Sequence, residues 1–268
     1  MTPIAFRLAL IFALGFPAKA FAVRSDWAPA DESQMRVLLA GQRDGEIAGG
    51  IEILLEPGWY TYWRNPGEAG VPPVFDFSGS TNVARVEVRY PAPERYDDGT
   101  SVSLVYHDEV VFPLAVEPAD PAKPVTLQVE LVFGVCSDMC IPSRASAAAT
   151  LPPDAEHDAL SEARLKRFEA RVPTPPEPGR FEITSVAEEG EALLIDVRMP
   201  DSSYSDLFTD PPDGWYIGQP RFLERTDGIS HYRLSLAGKP QDAAVKGQKF
   251  QFVAVAGGEA IEETVEIQ

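Results

Sequence analysis

Proline and glycine punctuate this chain so densely that long helices are excluded. The 268 residues include 25 prolines and 20 glycines. Proline removes an amide donor and clashes with the preceding helical turn, and glycine raises the entropic cost of ordering the backbone. Between these breaks the apolar residues recur with period two. Ile51, Ile53 and Leu55 alternate with Glu52 and Glu56, and Val86, Val88 and Tyr90 with Arg85, Glu87 and Arg89. Leu127, Val129, Leu131 and Phe133 alternate with Gln128 and Glu130. Each pattern predicts a half-buried strand, bounded by turns such as Pro57-Gly58 and Gly79-Ser80. About six such strands between residues 30 and 152 predict an all-β chain opening on an antiparallel β-sandwich.

The pattern changes twice outside that region. Residues 1–22 hold Arg7, a short apolar run from Leu8 to Phe16, and an Ala20-Phe21-Ala22 exit. This predicts a cleaved secretory signal, with a mature chain starting near Val23 in an exported, oxidising compartment and no membrane insertion thereafter. The sandwich is expected over 23–152 and a helix with a proline-rich linker over 153–179. The segment from Asp154 to Arg171 is rich in Ala, Glu, Leu, Arg and Lys, and Pro173, Pro175, Pro176 and Pro178 stiffen the stretch after it. Few contacts are expected to cross this linker. Alternation returns with Leu193, Ile195, Val197 and Met199, then Tyr232, Leu234 and Leu236, then Phe250 and Phe252. Residues 180–268 are therefore expected to form a second small β-sandwich-like domain, a spacer or docking module without a chemical motif. A net charge of −18 argues against nucleic acid and against anionic lipid as partners.

Chemistry concentrates at Cys136 and Cys140, separated by Ser137-Asp138-Met139. In an exported chain two cysteines are expected to form one disulfide. Closing so small a loop stabilises by about 2 kcal/mol, against about 4.7 kcal/mol for a hundred-residue loop, so it is a weak staple. Spacing alone leaves three readings open: a redox pair, a structural disulfide and a metal site. The strand phase puts Cys136 on the outward face, where a partner thiol would reach it. Cys140, between a three-residue turn and Ile141-Pro142, is expected to be the more accessible cysteine. Cys136, Met139 and Cys140 are soft donors suited to Cu(I). His107 reads as strand surface, and His157 and His231 lie in other segments. No Cys–His pair or three-ligand cluster is visible in the sequence. Trp59, Tyr60, Tyr62 and Trp63 read as aromatic residues on a strand, and Trp63-Arg64-Asn65-Pro66 leads into a Gly/Pro-rich stretch to Pro73 that reads as a surface loop.

The stretch Phe133-Gly134-Val135-Cys136-Ser137-Asp138-Met139-Cys140-Ile141-Pro142 resembles the active-site hairpin of the periplasmic N-terminal domain of the thiol:disulfide interchange protein DsbD. It resembles still more the version in ScsB-type copper-tolerance proteins. Gly58-Trp59-Tyr60-Thr61-Tyr62 is similar to the family's Gly-aromatic-Tyr-x-Tyr strand. Tyr96-Asp97-Asp98, then Val105-Tyr106-His107-Asp108 and Phe112-Pro113-Leu114, resemble its acidic-pair loop and following strand. The segments run in the family's order over residues 58–142.

The resemblance implies an immunoglobulin-like sandwich with a redox-active disulfide, acting as a protein-disulfide reductase component without organic cofactor or metal. Electrons would come from a separate membrane thiol:disulfide transporter and pass to periplasmic thioredoxin-like proteins. Carried over by position, Cys140 is the attacking thiol and Cys136 the resolving one. Asp97 and Asp98 are the acidic pair that would hold or relay a proton, and Tyr60 and Tyr62 line the site. Two departures stand out: the family's best-known members separate the cysteines further, and Gly99 occupies the position of their aromatic cap. The competing expectations are a Cu(I)-binding protein and a binding module with a structural disulfide.

Overall fold

The computed structural model describes residues 23–43 and 45–268, so the segment read as a secretory signal lies outside the described residues. The chain is all-β with one short helix. Its first half contains β1 (Ala28–Ala30), β2 (Ser33–Arg43), β3 (Glu46–Leu55), β4 (Tyr60–Gly67), β5 (Val74–Asp76) and β6 (Val83–Val88). These are followed by β7 (Glu94–Asp97), β8 (Val102–His107), β9 (Glu109–Pro118), β10 (Val125–Cys136) and β11 (Cys140–Leu151). One sheet has the order β1-β2-β3-β9-β6, the other β11-β10-β4-β8-β7, with β5 also paired to β10. The two sheets face each other in an immunoglobulin-like sandwich over a core that includes Met35, Trp63, Tyr106, Phe112 and Phe133.

There are more strands than period two reveals, for identifiable reasons. Strands β1, β5 and β7 are only three or four residues long. Strand β11 carries Ala145, Ala147 and Ala149 on its inner phase, too small to stand out as an apolar stripe, and is recognised only by its twelve-pair register with β10. Trp63, read as a strand aromatic, is fully buried within β4, and that strand runs on to Gly67, into the stretch expected to lead to a loop.

The segment expected to be helical forms α1 (Ala159–Glu169). Asp158 caps it, accepting from the Leu160 amide at 3.2 Å and the Ser161 hydroxyl at 2.7 Å. Leu165 and Phe168 turn into the first-half core. The helix covers the outer face of β2, β3 and β9, which changes the fate of Glu52. By alternation Glu52 faces solvent; here it is fully buried, accepting from Arg36 Nε and Arg164 Nε at 2.6 Å each. A buried carboxylate needs such partners to offset its lost hydration.

The second half contains β12 (Glu182–Glu189), β13 (Ala192–Arg198), β14 (Ser205–Asp210), β15 (Arg221–Thr226), β16 (Ile229–Ser235), β17 (Lys249–Ala256) and β18 (Glu259–Glu266). Sheets β12-β13-β16-β15 and β14-β17-β18 enclose a second core that includes Phe181, Ile195, Tyr232, Phe250 and Phe252. The three-stranded sheet is buried on both faces. Leu207, Phe252, Ala254 and Ile261 point into the second core, whereas Phe208, Val253, Val255 and Ala260 belong to the first. This is why residues 252–256 read as an unbroken apolar run.

The linker is not the contact-poor gap that its prolines suggest. Thr174 donates its amide to Ala260 O at 2.9 Å and accepts from the Glu262 amide at 2.9 Å, so the segment runs hydrogen-bonded along β18.

Candidate redox site

Cys136 and Cys140 close the β10–β11 hairpin as a disulfide with Cα atoms 4.1 Å apart. The Ser137 amide donates to Met139 O at 3.0 Å and completes the turn. Across the sheet Cys136 pairs with Tyr60 on β4, and Tyr60 pairs with His107 on β8. Paired residues share a face, so these three side chains form one row on the outside of the sandwich. Tyr62 and Val105 form the next row. From β7 Tyr96 adds a third wall, its ring 4.9 Å from that of Tyr60. The His107 ring lies 5.6 Å from Tyr60 and 5.7 Å from Tyr96.

The two sulfurs are therefore unequal. Cys136 is on the outward phase, as alternation requires, yet it is fully buried beneath the tyrosines rather than open to a partner. Cys140 is exposed, beside Met139, which is 65% exposed. The Tyr62 hydroxyl lies 2.9 Å from Cys136 Sγ and 3.3 Å from Cys140 Sγ. A disulfide sulfur carries no hydrogen, so the phenol is the donor in both contacts.

The chain makes room for Tyr62 with two glycines. A Cβ on Gly134 would sit 3.0 Å from the Tyr62 ring, and one on Gly70 would sit 2.2 Å from it. Gly70 also has φ +125°, in the region that disfavours side chains. The stretch following β4, read from sequence as a loop without a role, is thus a wall of the tyrosine's slot. Burial pushes the Tyr62 phenol well above its ordinary pKa, assisted by the neighbouring Tyr60 and by the charge on Asp98. Tyr60 is also raised, again by burial first. Both phenols consequently keep their protons throughout the physiological range.

The acidic pair is arranged differently from the proton relay expected of it. Asp97 Oδ1 accepts from the Gly99 amide at 2.8 Å. Asp98 Oδ1 accepts from the Thr100 hydroxyl at 2.7 Å and from the Thr100 and Ser101 amides at 2.8 Å each. These bonds, the Thr100 hydroxyl foremost, hold the Asp98 carboxyl down to about 2. Asp98 is therefore held ionised at neutral pH in the disulfide form; it shapes the turn and places a negative charge near the tyrosines. Its stabilisation of the turn is expected to be complete above pH 4 and lost as pH falls through about 2. NMR titration of the Asp98 carboxyl checks this, and a midpoint near 4 would contradict it.

Sequence reasoning named Cys136, Cys140, Tyr60, Tyr62, Asp97 and Asp98; the structure brings the cysteines and tyrosines together, whereas Asp97 pairs with Val102, at the opposite end of β8 from His107, and Asp98 acts on the tyrosines through its charge. The same reasoning passed over His107, assigned to plain strand surface. The available signal was phase, since Val105 and His107 alternate with Leu104 and Tyr106, both of the core.

Residues 25–152 match the family described as thiol:disulfide interchange protein DsbD, N-terminal. That span contains the hairpin, the disulfide and all four rings around it. This segment is a DsbD N-terminal domain. The second half of the chain lies outside the match. A solved structure, the N-terminal periplasmic domain of ScsB from Proteus mirabilis, is similar across both halves: TM-score 0.75 at 24% identity, over 92% of this chain and 98% of that one. At that identity the likeness concerns the fold, so the DsbD N-terminal domain and the second β unit together have a counterpart of known structure. No curated protein matches the chain. No helix among the described residues is long and apolar enough to cross a membrane. No group of three or more His, Cys, Asp or Glu among them is placed to hold a metal ion.

Proposed function

We propose that this chain relays reducing equivalents in the periplasm by thiol:disulfide exchange, from a membrane thiol:disulfide transporter to thioredoxin-like proteins. Membership of residues 25–152 in the DsbD N-terminal family supports the chemistry. The observation that carries the reading is the inequality of the sulfurs, one exposed and one buried, with a single phenol donating to both.

In the reduced protein the Cys140 thiolate attacks one sulfur of a partner disulfide and displaces the other as thiolate. The Cys136 thiolate then attacks Cys140 Sγ, re-forms the intramolecular bond and releases the partner as a dithiol. Two electrons pass to the partner, and two protons neutralise its thiolates. A dithiol of the membrane transporter reverses the sequence to recharge the pair. Exchange proceeds through thiolates, so a donor poised at both sulfurs lowers the cost of forming either. Tyr62, protonated because its pKa is raised, supplies that donor. The Asp98 charge opposes thiolate formation, and the balance of the two sets the working pH.

The reduction potential tests the reading. A carrier is expected above the range of structural disulfides, which lie at about −300 mV and below. A potential inside that range would return the bond to a staple, and tight Cu(I) binding by the reduced protein without exchange would favour the metal reading. Tyr62→Phe separates the donor from packing. Losing a hydrogen bond to a charged group raises the thiol pKa by about one unit. The pH–rate profile should move to higher pH by that amount, with a corresponding loss of rate at neutral pH. An unmoved profile would take Tyr62 out of the mechanism.

A further inference from the structure

Strand β7 is the edge of its sheet, four residues long and paired only with β8. A short edge strand held from one side opens easily. Yet this strand carries Tyr96, a wall of the cage, and leads into the Asp97–Asp98 turn. Successive side chains point to opposite faces, so while Tyr96 faces the disulfide, Arg95 faces β14 in the second half. There Arg95 Nε donates to Asp206 Oδ2 at 2.9 Å, and Nη2 donates to Asp206 Oδ1 at 2.8 Å. Nη2 also donates to Leu207 O and Pro220 O, each at 3.0 Å. A guanidinium fork on a carboxylate fixes orientation as well as position.

A second tie reaches the strand of Tyr60 and Tyr62. Arg64 Nε donates to Asp210 Oδ2 at 3.1 Å and its Nη2 to Glu262 Oε1 at 2.7 Å, and Asn65 Nδ2 donates to Thr209 O at 2.9 Å. Asp206, Leu207, Thr209 and Asp210 all belong to β14. One strand of the second half thus grips both strands that supply the tyrosines.

We propose that the second half is a brace for the tyrosine cage. Strand β14, chiefly through Asp206 and Arg95, holds β7 so that Tyr96 stays packed on Tyr60 over the Cys136 sulfur. Arg95 and Asp206 are positioning residues for exchange, and the brace sets how often the buried sulfur is uncovered. The proposal rests on the exchange reading for its functional meaning, but it makes a separate statement about cage opening.

The test uses the full chain and two measurements: on a Cys140→Ser background, which leaves the buried Cys136 as the remaining thiol, the rate at which iodoacetamide alkylates Cys136; and, with both cysteines present, the midpoint potential. Arg95→Met is expected to raise the Cys136 alkylation rate about tenfold, equivalent to about 1.4 kcal/mol of opening free energy. Arg95→Lys, which keeps the charge and loses the fork, should fall between it and the unaltered protein. Asp206→Asn should shift the rate in the same direction, and it carries the test if Arg95→Met fails to fold. Arg180→Met breaks an exposed pair with Glu177 and Glu259 away from the cage, and should leave the rate unchanged. Equal rates in the unaltered protein and in the folded Arg95 and Asp206 variants would overturn the brace. So would an equal rise in Arg180→Met, since the effect would then be general. A potential in the range of structural disulfides would overturn the exchange reading instead, and the rate comparison would still decide the brace.

Discussion

Cys136→Ser is expected to give a protein that accumulates mixed disulfides with oxidised thioredoxin-like partners, and Cys140→Ser to give one that accumulates none. In the first variant the exposed Cys140 thiolate still attacks, but no second thiol remains to resolve the product. In the second, the surviving thiol is Cys136, fully buried beneath Tyr60 and Tyr62. A partner sulfur must approach in line with the bond it breaks, and that path is closed. Non-reducing electrophoresis after incubation with a partner reads the outcome directly. Equal trapping by both variants would remove the assignment of attacking and resolving roles. Absence of trapping by either, with the fold intact by circular dichroism, would make the disulfide structural. The role implied by family position and the exposure of the two sulfurs agree here on independent grounds.

Phe208→Ala is expected to destabilise the whole chain by about 3–5 kcal/mol, the usual cost of deleting a buried phenylalanine ring. Phe208 belongs to the second half, but its fully buried ring sits in the core of the first. Neighbouring Leu207 points into the other core. Because β14 serves both cores at once, denaturant unfolding should remain a single transition shifted to lower midpoint, by tryptophan fluorescence and by thiol exposure alike. Two separated transitions in the unaltered protein would mean that the halves fold independently and that the shared sheet contributes little. A fragment ending at residue 152 would leave part of the first core open, losing Leu165 and Phe168 of α1 together with Phe208, Val253 and Val255. It should therefore be less stable than the intact chain, and apolar dye binding to the fragment checks this.

Much of the fold was legible because strand signals are local. Leu127 to Phe133 announced β10, and Ile51 to Leu55 announced β3, through period two alone. Strand β11 was silent because alanine offers too little contrast between its two phases. The candidate site was legible in its residue identities, since the cysteine hairpin, the Tyr60–Tyr62 strand and the Tyr96–Asp98 turn all belong to one recognisable order. What the acidic pair does was not legible. Whether Asp98 is a proton carrier or a turn anchor depends on where the Thr100 hydroxyl and the Ser101 amide point, and both point at its carboxylate.

By itself the sequence determined which face of each strand a side chain occupies, because the alternation of a β-strand is a property of its own backbone. It put Cys136 and Glu52 on outward faces, and both are there. Only the tertiary structure decided what lies over those faces. Tyr60 and Tyr62 cover the first, with Gly70 and Gly134 leaving space for the Tyr62 ring. Helix α1 covers the second and brings Arg164 to Glu52 from 112 residues away. The Arg95–Asp206 fork joins residues 111 apart. Such contacts come from the docking of whole sheets and helices, whose energy is summed over many buried side chains. No local periodicity encodes that sum.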